Sequence, residues 1–381
     1  MNNKPNTRFK GFNGLWKLQT LEKICANFKS GTGITSTEIS ELGGYPVYGG
    51  NGLRGYTNTY THNGEYILIG RQGALCGNIN TFSGKAYISE HAIAIGENNL
   101  SYIWFLEQLL LKLNLNSYSE STAQPGLSVD KLKKISVYVP AKEEQVVIGN
   151  FLRILDNNIN LNIFKLKLLR QLKKAYLQQM FPQSGESTPR VRFAGFKEPW
   201  EIRKLGDITN SYSGGTPNIK KKELYGGEIP FIRSAEINAD KTQLFLSKEG
   251  LENSSAKMIE VGTILYALYG ATSGEVGLSK ISGAINQAIL AIKPIRGYDA
   301  NFIAQWLRRQ KSNIVSTYLQ GGQGNLSAAI VKELTVLTPS KEEQAAIGHF
   351  FHTLDTQIST HQTKLSTLKQ LKAAYLQNML A

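Results

Sequence analysis

Two cysteines, Cys25 and Cys76, are all that the 381 residues contain, and their spacing fits neither a metal-ligand motif nor a disulfide framework. Histidine is almost as scarce, with five in the chain. The longest apolar run, Tyr102 to Leu115, is interrupted by Glu107 and Lys112 and is too short to span a bilayer. The opening MNNKPNTRFKGF has no apolar core of the signal-peptide kind, so a cytoplasmic location and no membrane partner are expected. No GxxxxGK[ST] stretch is present to cradle a nucleotide phosphate, and no GxGxxG opens a helix after a strand. No two prolines are adjacent, which excludes the Asn-Pro-Pro-aromatic loop with which amino-methyltransferases grip a flipped base. No acidic pair with a nearby lysine stands out as a nuclease centre. These absences predict a chain without catalytic residues, bound metal or cofactor of its own.

What is abundant is positive charge. There are 43 Lys and Arg against 29 Asp and Glu, a net +14. The excess is +4 over residues 1–139, +4 over 140–190, +5 over 191–338 and +1 over 339–381. A surplus spread over folded segments, and not confined to a tail, suits a structured surface that meets a polyanion, with nucleic acid first.

The second abundance is repetition. Residues 140–181 and 339–380 align without a gap, 22 of 42 positions being identical, and QLKKAYLQQMF (171–181) returns as QLKAAYLQNML (370–380). Each copy opens with proline and then KEEQ, and acidic residues in a first turn favour a helix start. Leu155, Ile159, Asn162, Leu166, Leu169, Lys173, Tyr176 and Met180 recur at spacings of four and three. Leu354, Ile358, His361, Leu365, Leu368, Lys372, Tyr375 and Met379 repeat that register. This is a coiled-coil seam on helices of about 38 residues and about 57 Å. The polar members, Asn162 with His361 and Lys173 with Lys372, read as devices that fix register. His349 and His352 could suggest a metal site, but their equivalents in the first copy are Asn150 and Arg153.

The rest of the chain is duplicated too, with more drift. TRFKGFNGLW (7–16) matches VRFAGFKEPW (191–200), and PQSGESTPRVRFAGFKEP (182–199) reads as a linker. The expected organisation is a globular unit (1–139), a long helix (140–181), the linker, a second globular unit (200–338) and a second long helix (339–381). GEYILIGRQGALCGNI (64–79) and VGTILYALYGATSGEVGL (261–278) are β-branched or aromatic runs that end at glycines, as strands entering tight turns do. HAIAI (91–95) and QAILAI (287–292) add buried strands, and YIWFLEQLLLKL (102–113) and NFIAQWLRRQKS (301–312) add helices. The fold class is α+β: two mixed α/β domains in tandem, each followed by a long helix.

Candidate contacts with a polyanion follow from residue type. Lys220, Lys221 and Lys222 lie in a glycine-bounded loop and suit phosphate contacts, with Arg233 and Ser234 after the next strand. Arg, Asn and Gln at loop tips can bond base edges in pairs, which selects Asn51, Arg71, Gln72, Gln287, Gln323 and Asn325. Tyr48, Arg54 and Tyr269 stand beside them, although a tyrosine such as Tyr269, next to Gly270, more often packs than contacts a base.

PAKEEQVVIG and PSKEEQAAIG, the two KAYLQ stretches, RFAGFKEPWEIRKLGDI, and SGGTP with YGGEIPFI resemble the DNA-specificity subunit of type I restriction–modification systems over essentially the full chain. The resemblance implies two target recognition domains, each reading one half of a bipartite asymmetric site in double-stranded DNA, and two antiparallel helices between them. It also implies two docked copies of a DNA methyltransferase subunit and, through them, motor-nuclease subunits, so S-adenosylmethionine, ATP and Mg belong to the partners. The helix faces near Glu143, Gln145, Glu342 and Gln344 and near the KAYLQ stretches are the expected docking surfaces. The competing reading is a free-standing DNA-binding regulator or scaffold. One departure stands out: the first unit lacks SGGTP and GGEIPFI and carries YPVYGGNG with ILIGRQG, as a different recognition-domain subtype would.

Overall fold

Period-2 segments form strands and heptad segments form helices, as the patterns require. The computed structural model describes residues 4–119, 125–319 and 325–380. Two compact units result, residues 1–164 with 362–381, and residues 165–361. The division falls inside both long helices, Lys142–Gln179 and Lys341–Met379. Each unit therefore owns the first part of one helix and the last part of the other.

In the first unit one sheet runs in the order Cys25–Ser30, Ala92–Glu97, His62–Gly70, Ile79–Ile88, Tyr45–Gly49, Gly52–Thr57. All neighbours are antiparallel except Tyr45–Gly49, which pairs parallel with Ile79–Ile88. In the second unit the same plan is divided into two four-stranded sheets. Ile79–Ile88 corresponds there to two short strands, Val276–Leu278 and Gly283–Ile285, separated at Ser279, whose hydroxyl donates to the Ile281 carbonyl. Tyr225–Ile232 lies parallel to Gly283–Ile285 as Tyr45–Gly49 lies parallel to Ile79–Ile88. So YPVYG occupies the place of GGEIPFI. The departure noted in sequence is one of side chains, with the strand retained. A small sheet also repeats, Lys17–Thr20 with Ser136–Val139, and Glu201–Lys204 with Thr335–Thr338.

Each seam position on the long helices is buried or half-buried, while most positions between them are exposed. The apolar core of the first unit takes in Leu152 and Leu155 from one helix and Met379 and Leu380 from the end of the other. The second unit mirrors this with Phe351 and Leu354, and Met180 and Phe181. The helices run antiparallel in both: Phe151 packs on Tyr375 with ring centroids 4.8 Å apart, and Phe350 on Tyr176 at 5.0 Å. Phe9 and Phe193 close these two aromatic groups, at 5.6 Å from Phe151 and 5.9 Å from Phe350. The seam lysines are ion-paired, Lys372 with Asp156 at 2.6 Å and Lys173 with Asp355 at 2.5 Å. Gly149 weakens helix propensity, yet a Cβ there would lie 2.7 Å from the Phe105 backbone nitrogen, so close helix packing requires it.

The KEEQ stretches serve the units that contain them. Gln145 is 1% exposed; it donates to the Leu100 and Pro140 carbonyls and accepts from the Tyr102 backbone N–H. Gln344 is equally buried, donating to Pro339 and accepting from Asp299. Both glutamines were expected among docking residues; with every polar atom turned inward, neither has anything to offer a partner. Glu143 and Glu342 are exposed. The adjacent Glu144 and Glu343 are buried and clamped by Arg8 and Arg192, each through two hydrogen bonds of 2.6–2.7 Å. No helix among the described residues is long and apolar enough to cross a membrane.

Candidate nucleic-acid interface

The strand-to-turn segments singled out in sequence fold alike in the two units. In the first, the turn after His62–Gly70 is closed by Gly77 N–H donating to the Gly70 carbonyl at 2.8 Å. The Arg71 N–H donates to His91 O at 2.9 Å, and Arg71 O accepts from the Leu127 N–H at 2.9 Å. In the second, Gly274 closes on Ala267, Leu268 donates to Ala288, and Leu326 donates to Leu268, at 2.8–3.0 Å. Gly73 and Gly77 have φ of 77° and 83°, and Gly270 and Gly274 have 84° and 77°, values that glycine adopts without strain. This register places Arg71 opposite Leu268, Gln72 opposite Tyr269 and His91 opposite Ala288. The backbone is the constant part and the tip side chains are the variable part.

In the first unit the structure brings Arg71 and Gln72 to a cleft of about 420 Å³ that residues 126–130 complete. Gly50 lies against them: a Cβ there would meet His91 O at 2.7 Å and the Gly70 Cα at 3.0 Å. Asn51 is exposed at the tip of the hairpin joining Tyr45–Gly49 to Gly52–Thr57, and exposed Arg54 runs beside Gly49. Tyr48 is different. Its ring stacks on Phe82 at 5.5 Å, and Phe82 on Tyr66 at 5.5 Å, so it belongs to the packing of the sheet face.

In the second unit Gln287 and Asn325 are exposed, and the Thr216 hydroxyl donates to Gln287 Oε1. Tyr269 is half-buried and packs on the apolar core. Lys220, Lys221 and Lys222 are exposed and form no ion pair among the described residues. Arg233 is already engaged: its guanidinium donates to both carboxylate oxygens of Glu236 and to Gln243 Oε1. Burial works to raise the Glu236 carboxyl, but hydrogen bonds from Arg233, Gln243 and Thr242 outweigh it and bring it down to about 2. Ser234 is half-buried at the start of that same turn. Gln323 lies outside the described residues.

Sequence reasoning passed over His91 and Thr216, the side chains that touch Gln72 and Gln287. The available signals were the alignment of HAIAI (91–95) with AILAI (288–292), which sets His91 against Ala288, and the SGGTP block (213–217) that contains Thr216. Among the described residues no group of three or more His, Cys, Asp or Glu side chains could hold a metal ion. The arrangement offers hydrogen-bonding tips and cationic loops, which suit recognition of a surface by contact.

Comparison with known proteins gives this arrangement a family. A model described as the type I restriction modification DNA specificity domain matches residues 13–174 and again residues 197–370. The specificity subunit of the type I restriction enzyme EcoprrI of Escherichia coli is 43% identical over 116 residues, covering 30% of this chain and 29% of that protein. For the MjaIX specificity subunit of Methanocaldococcus jannaschii the figures are 26% over 191 residues, 47% and 43%. The chain thus spans less than half the length of these two relatives where it matches them. With the HindI specificity subunit of Haemophilus influenzae it is 26% identical over 402 residues, covering 85% of each. The crystal structure of a type I restriction-modification S subunit from M. genitalium has the same fold, with a TM-score of 0.77 at 17% identity over 99% of both chains. Matched twice and over most of its length, the chain belongs to the type I restriction modification DNA specificity domain family.

Proposed function

We propose that this chain is the DNA-binding specificity subunit of a type I restriction–modification complex, acting in the cytoplasm. Each unit meets one half of a bipartite, asymmetric site in double-stranded DNA. Two copies of a methyltransferase subunit dock on the long helices, and motor-nuclease subunits join through them. The chain supplies contacts and spacing, and the partners supply catalysis with S-adenosylmethionine, ATP and Mg. The observation that carries this reading is the twofold family match on two units whose turn backbones agree while their tips carry Arg71, Gln72 and His91 in one and Leu268, Tyr269 and Ala288 in the other. Equivalent frames with unlike tips suit two half-sites of unlike sequence. The lysines 220–222 contact phosphates, which position the duplex without reading it.

Co-expression with its methyltransferase subunit, followed by sequencing of methylated DNA, tests the reading. The expected motif has two unlike halves separated by unread base pairs. A palindromic motif, or a chain that binds DNA with full specificity and purifies without a methyltransferase, would overturn it. Changing Lys220, Lys221 and Lys222 to Ala should weaken binding to all sequences alike. The salt slope should become shallower by roughly one unit for each phosphate no longer neutralised.

A further inference from the structure

Gln72 is exposed at the tip of its turn, and His91 stands beside its side-chain amide. His91 Nδ1 lies 3.3 Å from Gln72 Oε1, and His91 Nε2 lies 3.1 Å from Glu90 Oε1. The backbone fixes both ends of this chain of contacts, because the residue before Gln72 donates its N–H to the carbonyl of His91 itself, Arg71 to His91 at 2.9 Å. The second unit has the same backbone link, Leu268 to Ala288, with no histidine on it. There the exposed amide is Gln287, one residue earlier, and its prop comes from another loop, the Thr216 hydroxyl donating to Oε1. In both units one glutamine at the tip cluster thus has its side-chain oxygen within hydrogen-bond distance of a neighbouring side chain.

We propose that His91 and Thr216 are positioning residues for base recognition: each fixes the amide of a glutamine, Gln72 or Gln287, that reads one base pair of its unit's half-site. The inference rests on the DNA-specificity reading above and adds the residues that set it. A side-chain amide reads adenine by donating to N7 while accepting from the N6 amino group. The Thr216 hydroxyl, donating to one lone pair of Gln287 Oε1, keeps the second lone pair and the Nε2 donors available and removes the amide flip that would exchange them, and His91 does the same for Gln72 when Nδ1 carries a proton. Holding the amide before DNA arrives also removes part of the ordering cost of binding. Where an amide pairs with adenine, its removal should lower discrimination on the order of 5- to 100-fold at that position.

The test uses the full chain in complex with its methyltransferase subunit. Gln72→Ala, His91→Ala, His91→Asn, Gln287→Ala and Thr216→Val are compared by sequencing of methylated DNA, with thermal melting to verify folding. Affinity for non-specific DNA is the second readout. Gln72→Ala and His91→Ala are expected to relax the same base pair of one half-site, and the double variant should be no worse than Gln72→Ala. His91→Asn, which keeps an N–H donor, should recover part of the preference. Gln287→Ala and Thr216→Val should relax one base pair of the other half-site. Non-specific affinity should stay within about twofold throughout, which a merely structural role would not predict alongside a relaxed preference. If His91→Ala leaves the motif intact while Gln72→Ala relaxes it, the prop is refuted and the reader survives. If neither glutamine variant changes the motif, the proposal fails while the specificity reading stands. A wild-type complex with no bipartite motif would overturn both.

Discussion

Both units carry an aspartate, a lysine and a glutamine at matched places beside the helix seam, and they differ in the charges that surround them. In the first unit Lys372 pairs with Asp156, and Gln108 donates to Asp156 at 3.0 Å. Glu107 stands close enough for the two carboxylates to repel. In the second unit Lys173 pairs with Asp355, Gln305 donates to it at 2.9 Å, and Arg308 adds a further bond at 3.0 Å. Three members of the group repeat, while the further charge beside them, Glu107 in one unit and Arg308 in the other, stands at a different position of its helix and has the opposite sign. The repeated part is the part that fixes helix register, since each lysine and aspartate come from different helices. The charge around it is free to vary, as the tips of the recognition turns are. Packing geometry is held in duplicate, and chemistry diverges on top of it.

The largest expected effect falls on what the units share. Arg8→Ala and Arg192→Ala each strand a buried glutamate, Glu144 or Glu343, and should each cost about 3–5 kcal/mol in denaturation. Near-equal losses would confirm equivalent frames, and a cost confined to one unit would break the comparison. Next come the exchanged helix ends. Met379→Ala and Met180→Ala should each cost about 2–5 kcal/mol. Hydrogen exchange should locate the loosening from Met379→Ala around Phe105 and Leu109 and that from Met180→Ala around Phe302 and Trp306. Loosening in the same unit for both would contradict the sharing of helix ends.

The aspartates should sharpen the contrast. Asp355→Asn leaves Lys173 beside Arg308 without a counter-charge and should cost about 2 kcal/mol. Asp156→Asn removes a repulsion with Glu107 as well as a partner of Lys372, and should cost about 1 kcal/mol. Equal losses would show that the neighbouring charge, Glu107 or Arg308, does not matter.

The units should also answer acid differently, the smallest effect expected. Burial, then Asp156, raises the Glu107 carboxyl above its ordinary 4.5. Its stabilising contribution is therefore full below 4.5 and fades as pH rises through the raised value. For Asp355, burial pushes up but Lys173, Arg308 and Gln305 prevail, and the carboxyl lies below its ordinary 3.8. That contribution is present above 3.8 and is lost as pH falls through the depressed value. Glu107→Gln should raise the melting temperature at neutral pH and leave it unchanged well below 4.5. A constant gain across that range would remove Glu107 from the explanation.

How much of this was legible in the residues themselves follows the same line. The helices, their seam and the duplication could be read because heptads and identities are local and periodic. Lys173 and Lys372 were visible as polar seam members, but their aspartates lie 182 and 216 positions away, and no periodicity points to them. The shared place of YPVYG and GGEIPFI was hidden because strand pairing preserves backbone register, while side chains on a sheet face are exchangeable. Lys220 to Lys222 were readable as exposed cations, but Arg233 gave no sign that Glu236 and Gln243 hold it. Gln145 and Gln344 looked like surface because they are polar, and burial with full hydrogen bonding leaves no mark on composition.

The most direct measurement is an exchange of one unit. Residues 200–338 are replaced by the corresponding segment of a family member with a different motif, and methylated DNA from cells carrying the hybrid complex is sequenced. The expected motif keeps one half and the spacing unchanged and takes its other half from the donor. A motif altered in both halves, or unaltered in either, would contradict two independent readers on a duplicated frame.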